Sequence, residues 1–404
     1  MDKTVKASQQ GKNLSDVQEM NRSLVLRLLK RQDICSRAQL ARLSGLNQAT
    51  ITNIIKDFIK WGLVKETGLI GGERGRRSIG VQINHKEYYV IGVRLLRKEF
   101  RLGLFDIFGE CIIKKVFDNG INNPNVVIEK IKTEIANMMS ENDKNVLGIG
   151  IAVPGPYFRK EGRIMTITGF DGWDDIWLKE EMTQSFDIPV IIDHDANAGA
   201  LAEWWVMPNE IIQGTAIYLS VDEGVGAGII NNGRIFRGGL GTAGEVGHMT
   251  IDRNGKLCEC GNRGCLVHCA SVTYIMEVAR REISGYPDTI LKRGFDLAAL
   301  NQAIREKDGL AMKAFMEMAE NLAIGIINIM CAYGANEIII DIALTEGREY
   351  LIDTLREIIK GRTFKLFTEQ VRIRLTSFDD DPIFIGSAAL AIDYCLGKTS
   401  VFEN

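Results

Sequence analysis

From Tyr88 onward the chain repeats one order of elements, and that repetition limits its fold more than any single motif does. "YYVIGV", "FRLGLFDIFG" and "CIIKKVF" read as three successive strands, followed by a helix around Val126–Met139 and the strand "VLGIGIAV". After residue 214 the order returns: "TAIYLSV" and "GAGIINNGRIF" read as strands, helices follow, and "EIIIDIAL" is again a strand. A chain of 404 residues has material for more than one core. The expectation is an α/β body over residues 84–404, made of two similar lobes, roughly 84–200 and 201–404, with a cleft between them.

Charge separates this body from what precedes it. Residues 21–80 hold twelve Lys/Arg and four Asp/Glu, a balance of +8, and residues 1–20 are neutral, so the total of −3 leaves −11 on the rest. A basic head on an acidic body directs only the head toward a polyanion, although charge alone fits a solvated helix equally well. The longest uncharged run, Asn321–Asn336, is too short to span a bilayer. No Lys/Arg-headed apolar segment opens the chain. The reading is a cytoplasmic protein with no membrane partner.

Residues 1–20 are polar and aperiodic and read as a flexible tail. Over 21–83, "NRSLVLRLLKR" has a helical apolar face, and "SRAQLARLSG" starts with a Ser36/Gln39 capping pattern and stops at Gly45. In "NQATITNIIKDFIKWG", Asn47 is placed as N-cap, and Ile51, Ile54, Ile55, Phe58 and Ile59 share one face. A short helix, a glycine turn and a longer helix make a helix-turn-helix whose second helix suits a major groove. Gln48, Thr50, Thr52 and Asn53 are placed to meet base edges, with Lys56 on the same outer face. "LVKETG" and "SIGVQI" flank "LIGGERGRR" as a wing whose Arg74, Arg76 and Arg77 are candidates for phosphate or minor-groove contact. A plain helical packing module is the competing reading of the helices without the basic wing.

Gly247–Cys265, "GHMTIDRNGKLCECGNRGC", gathers His248, Cys258, Cys260 and Cys265 in a chain with only eight Cys and four His. Cytoplasmic thiols are normally reduced, so a tight Cys group reads as metal-binding or catalytic. One nitrogen and three sulfurs suit a closed tetrahedral structural zinc site, one Zn2+ per chain. Packed reduced Cys or a redox pair is the alternative. Cys269 and His268 are either further ligands or filler, and filler is the reading adopted. Cys35, Cys111, Cys331 and Cys395 read as core residues.

The stretch Gly224–Cys265, "GVGAGIINNGRIFRGGLGTAGEVGHMTIDRNGKLCECGNRGC", closely resembles the signature of the ROK family of repressors and sugar kinases. The basic head is similar to the winged module of its repressor branch, including xylose- and N-acetylglucosamine-responsive repressors. "DHDANAGALAEW" resembles the family's Asp-Ala-Asn segment, with His194 where the kinases usually have Asn. The resemblance implies an actin-like, two-lobed sugar-kinase fold, homodimers or homotetramers, zinc on the four residues above, and a sugar in the cleft. It implies that Asp195, Asn197, Glu245 and His248 meet that sugar, the zinc-bound imidazole offering its second nitrogen. "TGFDGW" and Val267 depart from the family's sugar contacts, and Trp173, Asp171 and Asp174 are substitutes, Trp173 foremost.

The kinases' Asp-x-Gly-x-Thr phosphate element corresponds to "GVRLLRKEF", where Arg94 replaces the Asp and no Gly or Thr follows. "GVGAG" survives, but Asp222 and Glu223 precede it, and the later glycine cluster is replaced by "IALTEG". With two of three elements lost, the expectation is no enzyme and no catalytic residues. The chain reads as a transcriptional regulator, a repressor of carbohydrate-metabolism genes, binding double-stranded operator DNA under control of a sugar or related metabolite. The alternatives are an ATP-dependent sugar kinase with a regulatory DNA-binding head, or a repressor controlled by a protein partner.

Overall fold

The structure is a computed structural model that describes residues 13–71, 77–120, 123–142, 144–165, 172–207 and 214–403. The head comprises α1 (Leu14–Gln32), β1 (Ile34–Ser36), α2 (Arg37–Ser44), α3 (Gln48–Lys60), β2 (Val64–Ile70) and β3 (Ser78–Ile83). Its three strands form an antiparallel sheet in the order β1-β3-β2. The strand Ile34–Ser36 was too short to register in the sequence.

The expected flexible tail over 1–20 is corrected at its C-terminal end, because α1 starts at Leu14. Polar side chains hid this turn from a periodicity reading. It is held by polar contacts: Asn13 N donates to Asp16 Oδ2 at 2.9 Å, and Ser400 N donates to Glu19 Oε1 at 3.3 Å.

The first lobe contains β4 (Tyr88–Leu95), β5 (Glu99–Asp106), β6 (Cys111–Asp118), α4 (Pro124–Glu141), β7 (Asn145–Val153), the small hairpin β8 (Tyr157–Phe158) and β9 (Arg163–Ile164), α5 (Leu178–Gln184) and β10 (Val190–His194). Next come α6 (Asp195–Val206), β11 (Thr215–Val221), β12 (Val225–Asn231), β13 (Arg234–Ile235), α7 (Val267–Ala270), α8 (Val272–Glu282), α9 (Leu297–Arg305) and α10 (Gly309–Tyr333). The chain closes with β14 (Glu337–Ile342), α11 (Arg348–Arg362), α12 (Lys365–Gln370), β15 (Arg372–Leu375) and α13 (Pro382–Gly397).

The recurrence seen in the sequence is a recurrence of topology. One sheet runs β6-β5-β4-β7-β10 and the other β13-β12-β11-β14-β15. In each, the first three strands are antiparallel and the last two join in parallel. The helix α10 is long and apolar enough to cross a membrane by length and composition, yet Leu310, Phe315, Leu322 and Ile326 are buried in the second lobe's core.

Two features depart from a simple division at residue 200. The last helix, α13, returns to pack on α6, β4 and β7 of the first half. The head's core also runs without a break into that of the first lobe: Leu26, Leu29 and Phe58 belong to one apolar cluster with Val90, Phe105, Leu396 and Phe402. Phe402 meets Tyr88 edge-on at 5.2 Å, and Arg22 bridges Asp57 at 2.7 Å and Glu403 at 3.0 Å. Emptying that junction is expected to loosen head and lobe together. Phe402→Ala should destabilise the chain by about 3–5 kcal/mol, read as a lower urea midpoint, with head and first-lobe probes shifting in parallel.

Candidate functional site

The outer face of the head follows from its caps. Ser36 N donates to Gln39 Oε1 at 2.8 Å and Gln39 N to Ser36 Oγ at 3.2 Å, starting α2, and Gly45 ends it. Asn47 Oδ1 accepts from Thr50 N at 2.8 Å, starting α3. Ile51, Ile54, Ile55 and Phe58 turn inward, which leaves Gln48, Thr52, Asn53 and Lys56 exposed and Thr50 half-buried. Thr52 Oγ1 is spent on the Gln48 carbonyl at 2.8 Å. Arg77 is exposed at the foot of β3, while Arg74 and Arg76 lie outside the described residues. An ion pair between Arg37 and Glu66 at 2.7 Å fixes the wing strand to α2.

The cleft chemistry gathers where β10 runs into α6. Buried Asp193 accepts from His194 N at 2.9 Å, from Asn197 Nδ2 at 2.8 Å, and from Arg237 Nε and Nη2 at 2.8 and 2.6 Å. His194 Nε2 lies 3.0 Å from Asp195 Oδ1. Burial alone would depress this imidazole, but Asp195, with Glu245 and Asp193, outweighs it and lifts the pKa to about 9. Burial would likewise raise Asp195, yet His194 and Arg94 hold it below the ordinary carboxylate range. The two residues form a desolvated ion pair across the start of α6.

Arg94 fills the space beside this pair. Its guanidinium donates to Asp381, and Arg101 Nη1 reaches the other Asp381 oxygen at 2.7 Å. Asp381 also caps α13 through Phe384 N at 2.9 Å. Nearby, Tyr218 donates to Asp341, and Arg97 pairs with Glu223, joining the β4–β5 turn of the first lobe to the β11–β12 turn of the second.

The candidates drawn from sequence thus occupy different settings. Asp195 and half-buried Glu245 lie near the His194 imidazole, and His248, also half-buried, follows Glu245 by three residues. Asn197 is buried, with its Nδ2 on Asp193 and its Oδ1 without a partner. Trp173 is only 2% exposed and sits in the first lobe's core, so its expected place at the ligand surface is corrected: its ring fills the core space under α5. Asp171 lies outside the described residues, and Asp174 is half-buried. Arg237, Arg101 and Asp381 were missed. The pairs Arg237–Asp193 and Arg101–Asp381 span 44 and 280 residues of chain, so no local spacing announced them.

The Cys/His group converges in space. The ligand atoms of His248, Cys258, Cys260 and Cys265 all lie within 4.8 Å of one another. Cys258 Sγ is 3.5 Å from His248 Nδ1, and Cys260 Sγ is 3.7 Å from Cys265 Sγ. A zinc tetrahedron has S···N and S···S edges of about 3.6 and 3.8 Å, from bonds of about 2.0 and 2.3 Å, so these donors fit that ion. Nδ1 is the nitrogen turned to sulfur, which leaves Nε2 for another partner. Only glycine fits at 264: its φ is 62°, and a Cβ would lie 1.5 Å from the Asp252 carbonyl oxygen. Cys269 and His268 stand outside the group. Of the other cysteines, Cys35 and Cys395 are buried, whereas Cys111 and Cys331 are exposed, one on an edge strand and one on the outer face of α10, correcting their expected place in the core.

Duplicated α/β lobes with a charged cleft, a Cys/His loop and a winged helix-turn-helix head define an actin-like, sugar-kinase-type body carrying a nucleic-acid-binding type of module. The chain belongs to the ROK family, whose sequence profile matches residues 90–394. It is 31% identical over 388 residues to a putative xylose repressor of Caldicellulosiruptor sp., covering 93% of this chain and 96% of that protein. The crystal structure of a ROK family transcriptional regulator, a homologue of the E. coli Mlc protein, superposes with a TM-score of 0.84 at 24% identity, covering 96% of this chain and 100% of the other. The ROK hexokinase of Thermus thermophilus superposes at 0.62 and 24% identity, over 75% of this chain and 97% of that enzyme.

The His194–Asp195 pair has a pH signature. The raised imidazole pKa contributes stability that is complete below the unfolded value of 6.5 and is lost as pH rises through about 9. The thermal midpoint of the wild type should therefore fall between these limits by more than that of His194→Gln. Parallel profiles for the two proteins would contradict the assigned ion pair.

Proposed function

We propose that this chain is a non-enzymatic transcriptional regulator, a repressor of carbohydrate-metabolism genes, whose operator binding is governed by a sugar or related metabolite in the cleft. The observation that carries the reading is likeness along nearly the whole length, head included, to a protein named as a putative xylose repressor. The cleft supports it: Arg94, held by the Asp381 carboxylate that Arg101 also grips, stands in place of the acid of the kinases' phosphate element, and exposed Asp222 and Glu223 precede the surviving glycine turn, Glu223 paired with Arg97. Asp195 is then an acceptor for ligand hydroxyls, joined by Glu245 and His248 Nε2, while Asn197 orients Asp193 from below.

His248 Nδ1 and the sulfurs of Cys258, Cys260 and Cys265 would hold a structural zinc ion. The ion would supply a fixed imidazole and a folded loop, no more. Purified protein should contain about one zinc per chain. Cys260→Ser should lose it and weaken ligand response with it, because Glu245 and His248 occupy the same segment. Full metal content in that variant would contradict the ligand assignment.

The exposed face of α3 reads base edges and the wing meets phosphates, in a homodimer or homotetramer whose heads address a palindromic operator. Binding should weaken steeply with salt. Arg77→Ala should flatten the salt slope by about 1, whereas Asn53→Ala should mainly relax sequence preference. Both follow from titrating the purified chain against a duplex that it enriches from a random pool; an unchanged slope and preference would remove α3 and the wing from the interface.

A further inference from the structure

Helix α6 starts in the cleft and ends at the head. Asp195 is its first residue, and Trp205 stands ten residues on, a distance of about 15 Å at 1.5 Å per residue. Two residues before Trp205, fully buried Glu203 ties the helix to the end of β15: it accepts from Ser377 N at 2.6 Å, Thr376 Oγ1 at 2.5 Å and Arg374 Nη2 at 2.9 Å. The helix therefore moves with the far edge of the second sheet as well as with the cleft.

At its C-terminal end two tryptophans meet the last basic residues of α1. The Lys30 ammonium lies 3.8 Å from the Trp205 ring centre and 5.9 Å from that of Phe108. The Arg31 guanidinium lies 5.8 Å from the Trp204 ring centre, and its Nη2 reaches the Met207 carbonyl at 3.4 Å. Each ring also touches a hairpin turn of a different lobe. A Cβ on Gly109, between β5 and β6, would stand 3.2 Å from Trp205, and one on Gly233, between β12 and β13, would stand 3.1 Å from Trp204. Lys30 is half-buried, and this burial lowers its pKa to about 8 despite Asp106 and Asp393. A cation stacked on a ring in such a place depends strongly on where the ring stands.

The two turns belong to the two lobes, so any change in the angle between lobes moves one tryptophan's support relative to the other's. From this geometry we infer that Trp204 and Trp205 form the coupling element through which occupancy of the cleft at Asp195 reaches α1 and thereby the DNA-reading head. The inference rests on the regulator reading, since it names the route that regulation takes. Occupancy shifts α6 and the lobes, the rings shift under Lys30 and Arg31, and α1 turns with its attached α2 and α3. Energetically the rings need only favour one head orientation differently in the two states.

The test uses the full chain, D-xylose as probe and the duplex it selects from a random pool. In the wild type, saturating D-xylose should weaken duplex binding about tenfold or more. Trp205→Leu should bind D-xylose by calorimetry and bind the duplex as the wild type does, yet show a sugar effect below about twofold, and Trp205→Phe should restore it. Lys30→Met, which keeps the aliphatic stem, should repeat the loss and serves if Trp205→Leu does not fold. Normal sugar release by either variant overturns the inference. If D-xylose fails to bind the wild type, the sugar reading is what fails, and the coupling is judged by hydrogen exchange. Asp195→Asn should then alter amide exchange in α1 when Trp205 is present and leave it unaltered in the Trp205→Leu background. Exchange in α1 that ignores Asp195→Asn overturns the inference.

Discussion

Everything in this molecule hangs on how closely α6 and α13 approach one another. A Cβ on Gly386 would lie 2.0 Å from the Ala198 carbonyl oxygen, so the two backbones touch with no side chain between them. Small buried residues are frequent on both helices, Ala196, Ala198, Ala200 and Ala202 on one and Gly386, Ala388, Ala389 and Ala391 on the other. Such an interface gains from many short van der Waals contacts and tolerates no added volume. It also brings the C-terminal helix back to the first sheet, where Asp381 caps it and anchors Arg94 and Arg101. One helix pair thus sets the cleft floor, fills the neighbouring space with a guanidinium, and carries the last residues of the chain to the head.

The charged cleft and the basic head are therefore parts of one mechanical body. The apolar cluster that includes Leu26, Phe58, Phe105 and Phe402 packs the head directly on the first lobe. In the proposed regulator, a ligand does not need to release a tethered domain. It needs only to reorient a packed one, and the cost of repacking makes such a change stepwise rather than gradual. The same density places the ion pair of His194 and Asp195 within reach of Arg94, Asp193 and Glu245, so the cleft's charges act on one another with little screening.

Much of this was legible in the chain. The recurrence of strands foretold two similar sheets because strand order is written in apolar runs, and Ser36, Gln39, Gly45 and Asn47 foretold the helix ends because caps are local. The Cys/His loop was legible because its four donors lie within eighteen residues. What was hidden depends on long-range packing. Phe402, Asp381 and Arg237 find partners far along the chain. Trp173 resembled a ligand contact but is core, and the first turns of α1 looked like tail because its stabilisation is polar. The substitution of Arg94 for an acidic residue was visible, but the network that gives it meaning was not.

The unity of head, α6 and α13 is the claim on which the account stands, and native-state hydrogen exchange in sub-denaturing urea tests it most directly. If the three form one body, the slowest amides of Leu14–Gln32, Asp195–Val206 and Pro382–Gly397 merge into a single opening isotherm as urea rises. If instead Leu14–Gln32 opens at low urea with its own smaller slope while the other two helices stay protected, the head is an independent domain and the account is wrong.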